Sequence, residues 1–340
     1  MDNHITYHDN KTGIMDIVTK SRGFSGLKEL QEPTVNPGRI LNEIGLNYQL
    51  EKKTLKYEGN DGYLRTVNPR HAIVRSDNGN CMGIVGDSYQ IAQNSFIAAT
   101  ACQIAEQVGG KITHVGELES GAFDKGSRVA FHADLGDFDI GGDQMKKQLI
   151  VVDGRDGSMS LSIYLGIMRI ICSNGMMAYD KSFQNCIRVQ HSNKIPIMVN
   201  YVIQAMAKAN DVYENTKAKL EEYQTYTVHP EEAIQSLSAY MFPKTMVMNT
   251  KTNKKELMLT QRTVRKRQRL VSVYNEQSYK EHDVYRVYQA ATEYIDHENT
   301  ISVRKDKDAE SSYFTNMISG SGNELKKTAI EACDKMVAFA

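Results

Sequence analysis

Eight basic side chains fall between residues 251 and 269: Lys251, Lys254, Lys255, Arg262, Arg265, Lys266, Arg267 and Arg269. Lysine and arginine bind phosphates by releasing condensed counterions. The five charges at 262–269 can therefore supply affinity for a nucleic-acid backbone without reading sequence. Read as a strand pair or ribbon over Leu257–Val273, the stretch would place Arg265, Arg267 and Arg269 on one face at a period of two. Tyrosine is plentiful at 18 residues and tryptophan is absent; Tyr274, Tyr279, Tyr285 and Tyr288 follow the basic tract. Aromatic rings beside arginines are what a single-strand platform uses, stacking bases while cations hold the backbone. The competing reading is a solvated basic face, with Tyr285 and Tyr288 in the core of the next helix.

Other chemistries find fewer residues. No Cys-x-x-Cys pair occurs, and Cys186 with His191 supplies only two ligands where a zinc site needs at least three. The acidic stretch Asp134, Asp137, Asp139, Asp143 has Gln148 where a calcium loop begun at Asp137 needs its closing glutamate, so it reads as a solvated turn. A magnesium-dependent nuclease would need Asp134, Asp153 and Asp156 to converge. There is no Gly-x-Ser-x-Gly elbow, phosphate-loop lysine or dinucleotide fingerprint, and Gly320-Ser321-Gly322 is too short to be such a loop. No catalytic residue, metal or cofactor is expected, and activity without ATP follows from the missing phosphate loop.

The elements that must position these residues are read from composition outward. Of 340 residues 41 % are apolar, enough for a core. No apolar run reaches the length of a membrane span, and residues 1–20 lack the pattern of a signal peptide. Five scattered cysteines, Cys81, Cys102, Cys172, Cys186 and Cys333, read as reduced thiols. The expected place is a cytoplasm. Net charge is zero, but residues 240–280 hold ten basic side chains against two acidic, and residues 281–310 four against eight. A basic groove beside an acidic face that meets a neighbouring subunit would produce that reversal.

Residues 1–36 are polar and aperiodic, an arm. Pro37 and Gly38 open a short helix. From Tyr48 to Asn94 short strands are expected at Thr54–Tyr57, His71–Arg75 and Met82–Val85, with a hairpin at Asn78-Gly79. A helix capped by Asn94 or Ser95 carries Ile97, Ala101, Ile104, Ala105 and Val108 at 3.6 spacing and ends at Gly109-Gly110. A second strand block covers Ile112–Val115, Arg128–Ala133, Gln148–Val152 and Ser158–Tyr164; Leu165–Cys172 fits strand or helix. A long helix from Ile197 to about Tyr223 buries Val199, Val202, Met206, Ala209, Tyr213, Thr216, Leu220 and Tyr223. Helices at Pro230–Met241, Ser278–Asp296 and Gly322–Phe339 complete an α+β protein: an arm at 1–36, a β-rich core at 37–225 and a helical region at 226–340 that contains the basic tract.

Four ordered blocks then carry a resemblance. Residues 84–94, with Gly86, Tyr89, Gln93 and Asn94, resemble the signature of the phage/plasmid-like family, domain of unknown function 932. Arg75, Asp77, Gly79, Gly83 and Val85 match its lead-in. Asp156-Gly157 is similar to its His-Asp-Gly-Ser step, with Arg155 in place of the histidine. Residues 169–175 resemble its Arg-Val-Val-Cys-x-Asn block, and Arg188 to His191 its Arg-x-x-His. The resemblance covers about residues 45–225 and implies a mobile-element protein, with a fold-level likeness to single-strand annealing proteins of the RecT and Erf kind. Its implication is a homo-oligomer, ring or filament, that binds and anneals single-stranded DNA in the host cytoplasm. Arg155, Lys181, Arg188 and Lys194 would line the core groove, Tyr89 and Tyr164 would stack bases, and Arg262, Arg265, Lys266, Arg267 and Arg269 would add an electrostatic wall. The alternatives are the nuclease above and a virion component whose arm clasps its neighbour.

Overall fold

The computed structural model describes residues 26–120, 123–169, 175–177, 186–249, 254–277, 279–299 and 308–339. Lys181 and Cys172, and residues 1–25 of the arm, lie outside them. Lys28–Thr34, read above as part of the arm, form strand β1 instead. It is the edge of a seven-stranded antiparallel sheet that continues through β5 (Lys111–Ser120), β6 (Phe123–Ile140), β7 (Asp143–Gly154) and β8 (Leu161–Arg169). The short β9 (Gly175–Met177) and β10 (Cys186–Val189) both pair with β8 at the other edge. A smaller sheet holds β2 (Leu50–Glu58), β3 (Leu64–Arg75) and β4 (Cys81–Gly86). The Asn78-Gly79 turn joins β3 to β4 as expected, with Gly79 at φ 77° where a side chain would be strained.

The run Gln148–Val152 in β7 lacks alternation because both of its faces are covered. On one face Phe131, Leu149, Val151 and Ile163 meet helix α2 (Asn94–Gln107) through Ile97, Ala101 and Ile104. Helices α3 (Ile195–Ala205) and α4 (Ala209–Thr225) join through Val199, Val202, Tyr213 and Tyr223. On the other face Leu118, Ala130, Ile150, Val152, Tyr164 and Met168 pack on Phe314 and Ile318 of α8 (Ala309–Ser319). Leu165–Arg169 is strand, which resolves the ambiguous segment as far as residue 169. The long helix carries one tight 3-10 turn at Met206–Lys208 between α3 and α4. All eight side chains expected on its inner face are buried.

Helix α1 (Pro37–Ile44) starts where Asn36 accepts a hydrogen bond from Arg39 N at 3.1 Å and stops at Gly45 in the left-handed region. Helix α5 (Pro230–Met241) begins at its proline. The basic tract is not a ribbon over 257–273. The ribbon is β11 (Thr245–Asn249) with β12 (Lys254–Met258), and Gln261–Glu276 form helix α6, capped by the Thr260 hydroxyl accepting from Thr263 N at 3.1 Å. Arginine, lysine and glutamine favour helix, and Leu270, Val273 and Tyr274 bury one side of it. Helix α7 (Val284–Glu293) is shorter than the spacing suggested, begins at the Asp283 cap and runs into a π turn, Tyr294–Glu298. Helices α8 and α9 (Ser321–Phe339) follow. Among the described residues no helix is long and apolar enough to cross a membrane.

Candidate nucleic-acid interface

Three of the resemblance regions, residues 75–94, 155–157 and 188–191, come together where the small sheet crosses the end of β7. In the block at 169–175, Arg169 pairs with Met145 at the start of β7, and residues 170–174 lie outside the described residues. At Gly83 a methyl group would overlap the Arg155 carbonyl and Asp156 Cα, so only glycine lets β4 pass the β7–β8 turn. Gln93 clamps the first residue of β2, accepting from Leu50 N at 2.9 Å and donating to Leu50 O at 2.8 Å. Asn94 donates to Leu46 O at 2.9 Å and accepts from Arg155 Nη2. The Arg155 guanidinium also reaches Gly126 O (2.5 Å) and the Tyr48 hydroxyl (3.1 Å). Tyr48 donates to Glu117 (2.6 Å), which takes Arg75 Nη1 at 3.0 Å, and Arg75 is held from its other side by Asp77. This is a buried polar network between two sheets, satisfied at Arg155 Nη1 and Nη2 but with Arg155 Nε unpartnered among the described residues. Such networks favour one packing in proportion to how far they are satisfied.

Arg155 is 1 % exposed. It is therefore an internal tie and not a phosphate contact in a groove, a correction to the expectation from sequence. The sequence cannot show this, because the turn Arg155-Asp156-Gly157-Ser158 is polar and reads as surface until β4 is laid over it.

Beside the network, His191 Nε2 stands 3.1 Å from Oδ1 of the fully buried Asp153, and His191 Nδ1 is 3.2 Å from Gln90 O. The Asp153 contact is off the hydrogen-bond direction, but Coulomb attraction at that distance does not depend on alignment. Burial opposes charge on this imidazole, and the Asp153 carboxylate overcomes it, leaving the His191 pKa above its ordinary value. Tyr89 stacks on the His191 ring at 4.5 Å and 14° and donates to Gly154 O at 2.9 Å. With Nδ1 of His191 on Gln90 O, Nε2 facing Asp153 and one face of Tyr89 covered by the His191 ring, this corner ties the segment after β4 to the one after β10. Tyr89, His191, Arg70, Ser88, Ser158 and Gln190 line a cleft of about 690 Å³.

Tyr164 is also corrected. It is 1 % exposed beneath α8, and burial pushes its hydroxyl up to about 12, so it stacks no base. Arg188 in β10 and Lys194 before α3 are exposed. The three carboxylates do not converge. Asp134 faces Gln148 across the ladder while Asp153 faces Val129, five strand residues or about 17 Å away. Asp134 is paired with Lys146 at 2.5 Å, and Asp156 accepts from the Ser120 and Ser158 hydroxyls. Among the described residues no cluster of three or more metal-ligating side chains exists. Nor is a thiol poised for chemistry at Cys102, which burial pushes up to about 12.

The cations of the basic tract divide by what holds them. Arg267 turns inward and donates to Phe242 O at 2.9 and 2.7 Å, and Arg269 is held by Glu298 at 2.9 and 3.1 Å and by Glu276 at 3.1 Å. Arg262, Arg265 and Lys266 share the i, i+3, i+4 face of α6. Among the described residues Arg262 and Arg265 have no ion pair and no hydrogen bond. Two adjoining clefts open on this face. Arg262 and Lys266 line both, one of about 630 Å³ toward α8 and α9 and one of about 330 Å³ that includes Arg265.

Sequence reasoning missed a second surface. The outer half of the β2–β3 hairpin stands in solvent, with Tyr57 51 % and Tyr63 73 % exposed. Tyr57 pairs across the ladder with Arg65, two residues from Tyr63, so two rings and a guanidinium share one face. The signal was present as a Gly59-Asn60-Asp61-Gly62 turn with a tyrosine on either side.

The fold and these surfaces define an α+β protein with an internally tied junction of two sheets and a cationic helix face. A family model for the domain of unknown function DUF932 matches residues 81–317, well over half of the chain, and the protein belongs to that family. The match extends past residue 225 and takes in α6, which the sequence resemblance left out. No curated protein and no solved structure matches.

Proposed function

We propose that this protein binds and anneals single-stranded DNA, without ATP and as a homo-oligomer, in the service of a phage or other mobile element. The observation that carries the reading is the outward face of α6. Arg262, Arg265 and Lys266 point along two adjoining clefts, and neither arginine has an acidic partner among the described residues. Unneutralised arginines at a cleft are what a phosphate backbone recruits. The exposed Tyr57–Arg65–Tyr63 surface adds rings on which bases stack. A likeness to RecT- and Erf-type annealing proteins fits the order of hairpin, helix, sheet and long helix. The nuclease reading is weakened because Asp134 stands a strand's length from Asp153.

Fluorescence anisotropy against single- and double-stranded oligonucleotides at two salt concentrations tests this. Tighter binding to single strands is expected, with duplex formation from complementary strands and the oligonucleotides left intact in magnesium. Replacing Arg262, Arg265 and Lys266 together with Gln should cut the salt slope by roughly 0.7 per lost contact, or about two units. An unchanged slope would leave α6 a solvated face and sink the reading.

A further inference from the structure

The larger cleft on α6 differs in kind from its neighbour. The smaller one contains Glu298, already bound to Arg269. The larger one is lined by Arg262 and Lys266, by amides and hydroxyls, and by Met241, Phe242 and Leu325, with no carboxylate among its described lining residues. Two cations without an acid, next to an apolar wall, match a ligand with an anionic end and a flat apolar body.

Local structure prepares each donor. The π turn at 294–298 closes on Asn299 N donating to Tyr294 O at 2.7 Å, which brings Asn299 to the cleft where its Oδ1 lies 3.5 Å from Lys266 Nζ. Asn316 Oδ1 accepts from the Ser321 hydroxyl at 2.9 Å and from Gly322 N at 3.1 Å, and its Nδ2 donor has no partner among the described residues. Burial and the charge of Arg262 hold the Lys266 ammonium below its ordinary range. An anion between the two relieves that like-charge repulsion. The volume of about 630 Å³ sits within the roughly 300–1,000 Å³ of small-molecule clefts, room for a whole nucleotide and not only its phosphate.

We infer that this cleft seats a nucleoside phosphomonoester, its phosphate between Arg262 and Lys266 and its base toward Phe242 and Leu325. A monoester carries about −1.5 to −2 charge and three acceptor oxygens, against one charge for an internal phosphodiester, so it profits most from two cations and an amide at one point. The inference rests on the single-strand reading for its natural source, the phosphorylated end of a strand, with a free nucleoside monophosphate as the other source.

The experiment uses the full chain and internally labelled 20-mers that carry a 5′-phosphate, a 3′-phosphate or neither. A phosphate at one end should tighten binding roughly tenfold. Arg262→Gln should abolish that preference. Arg265→Gln, outside this cleft, should weaken all three oligonucleotides and keep it. In parallel, thermal shift with free nucleoside 5′- and 3′-monophosphates, against the unphosphorylated nucleoside, reads the cleft without DNA. A rise in Tm for a monophosphate in the wild type, absent in Arg262→Gln, supports the site even where no oligonucleotide binds, an outcome that would end the DNA reading instead. If all three oligonucleotides bind alike and no monophosphate raises Tm more than its nucleoside, the proposal is overturned while DNA binding stands.

Discussion

Arg155 donates to three groups from a position with no access to solvent. Replacing it with Gln strands Gly126 O and the Asn94 amide oxygen, and such losses cost about 3 kcal/mol or more when a buried charge network is cut. Urea unfolding should show that loss, and the folded variant should bind DNA as the wild type does; a stable variant with weakened binding would restore Arg155 to the groove. His191 makes a second residue-scale prediction. Its folded-state pKa lies above the unfolded value near 6.5 because of Asp153. The stabilisation is then complete below about pH 6.5 and fades as pH rises through the raised value. The Tm of the wild type should fall between pH 6 and pH 9 by more than that of His191→Gln. Parallel pH profiles would show that the pair contributes nothing.

At the scale of elements, α6 carries both paired cations and, among the described residues, unpaired ones. Arg269 serves Glu298 and Glu276, so Arg269→Gln should cost a few tenths to about 1 kcal/mol of stability and leave the salt slope alone. Arg262→Gln should do the reverse, keeping Tm and lowering the slope by roughly 0.7. Equal effects from the two would contradict the division between paired and unpaired cations. The β2–β3 hairpin is the complementary element. Tyr57→Ala and Tyr63→Ala should each weaken single-strand binding by about 1–3 kcal/mol per stacked base, with little change for duplex, whose bases are not free to stack. Equal losses on both substrates would mean the hairpin only touches the backbone.

For the molecule as a whole, one core runs from Leu30 in β1 to Cys333 in α9, so the helical C-terminal half shares its packing with the sheet. Some large apolar side chains stand exposed outside that core. The β11–β12 ribbon exposes Met246, Met248 and Leu257 at 61, 51 and 60 %, which suits a chain that meets other chains. The expected particle in light scattering is a multiple of the 38.3 kDa chain, present or enlarged with single-stranded DNA. A monomer under both conditions would remove the homo-oligomer from the proposal.

Local patterns decided a great deal here, because caps, turns and periods act within a few residues. The helix opened at Pro37, the Asn78-Gly79 hairpin, the inner face Val199 to Tyr223 and the α+β class could all be read from the sequence, and so could the family, through Gly83, Tyr89, Gln93, Asn94, Asp156 and His191. Tertiary structure decided which charges are free. Arg155 and Arg262 are alike as residues, and both lie in polar stretches. One is sealed because β4 crosses it at Gly83, and the other is open because α6 turns its apolar side to α7. Such crossings depend on register between segments far apart in the chain, where no local spacing records them. The helical state of residues 261–276 was missed for a related reason. A period of two and a period of 3.6 both place Arg265 and Arg269 on one face, and only the Thr260 cap and the burial of Leu270 and Tyr274 choose between them.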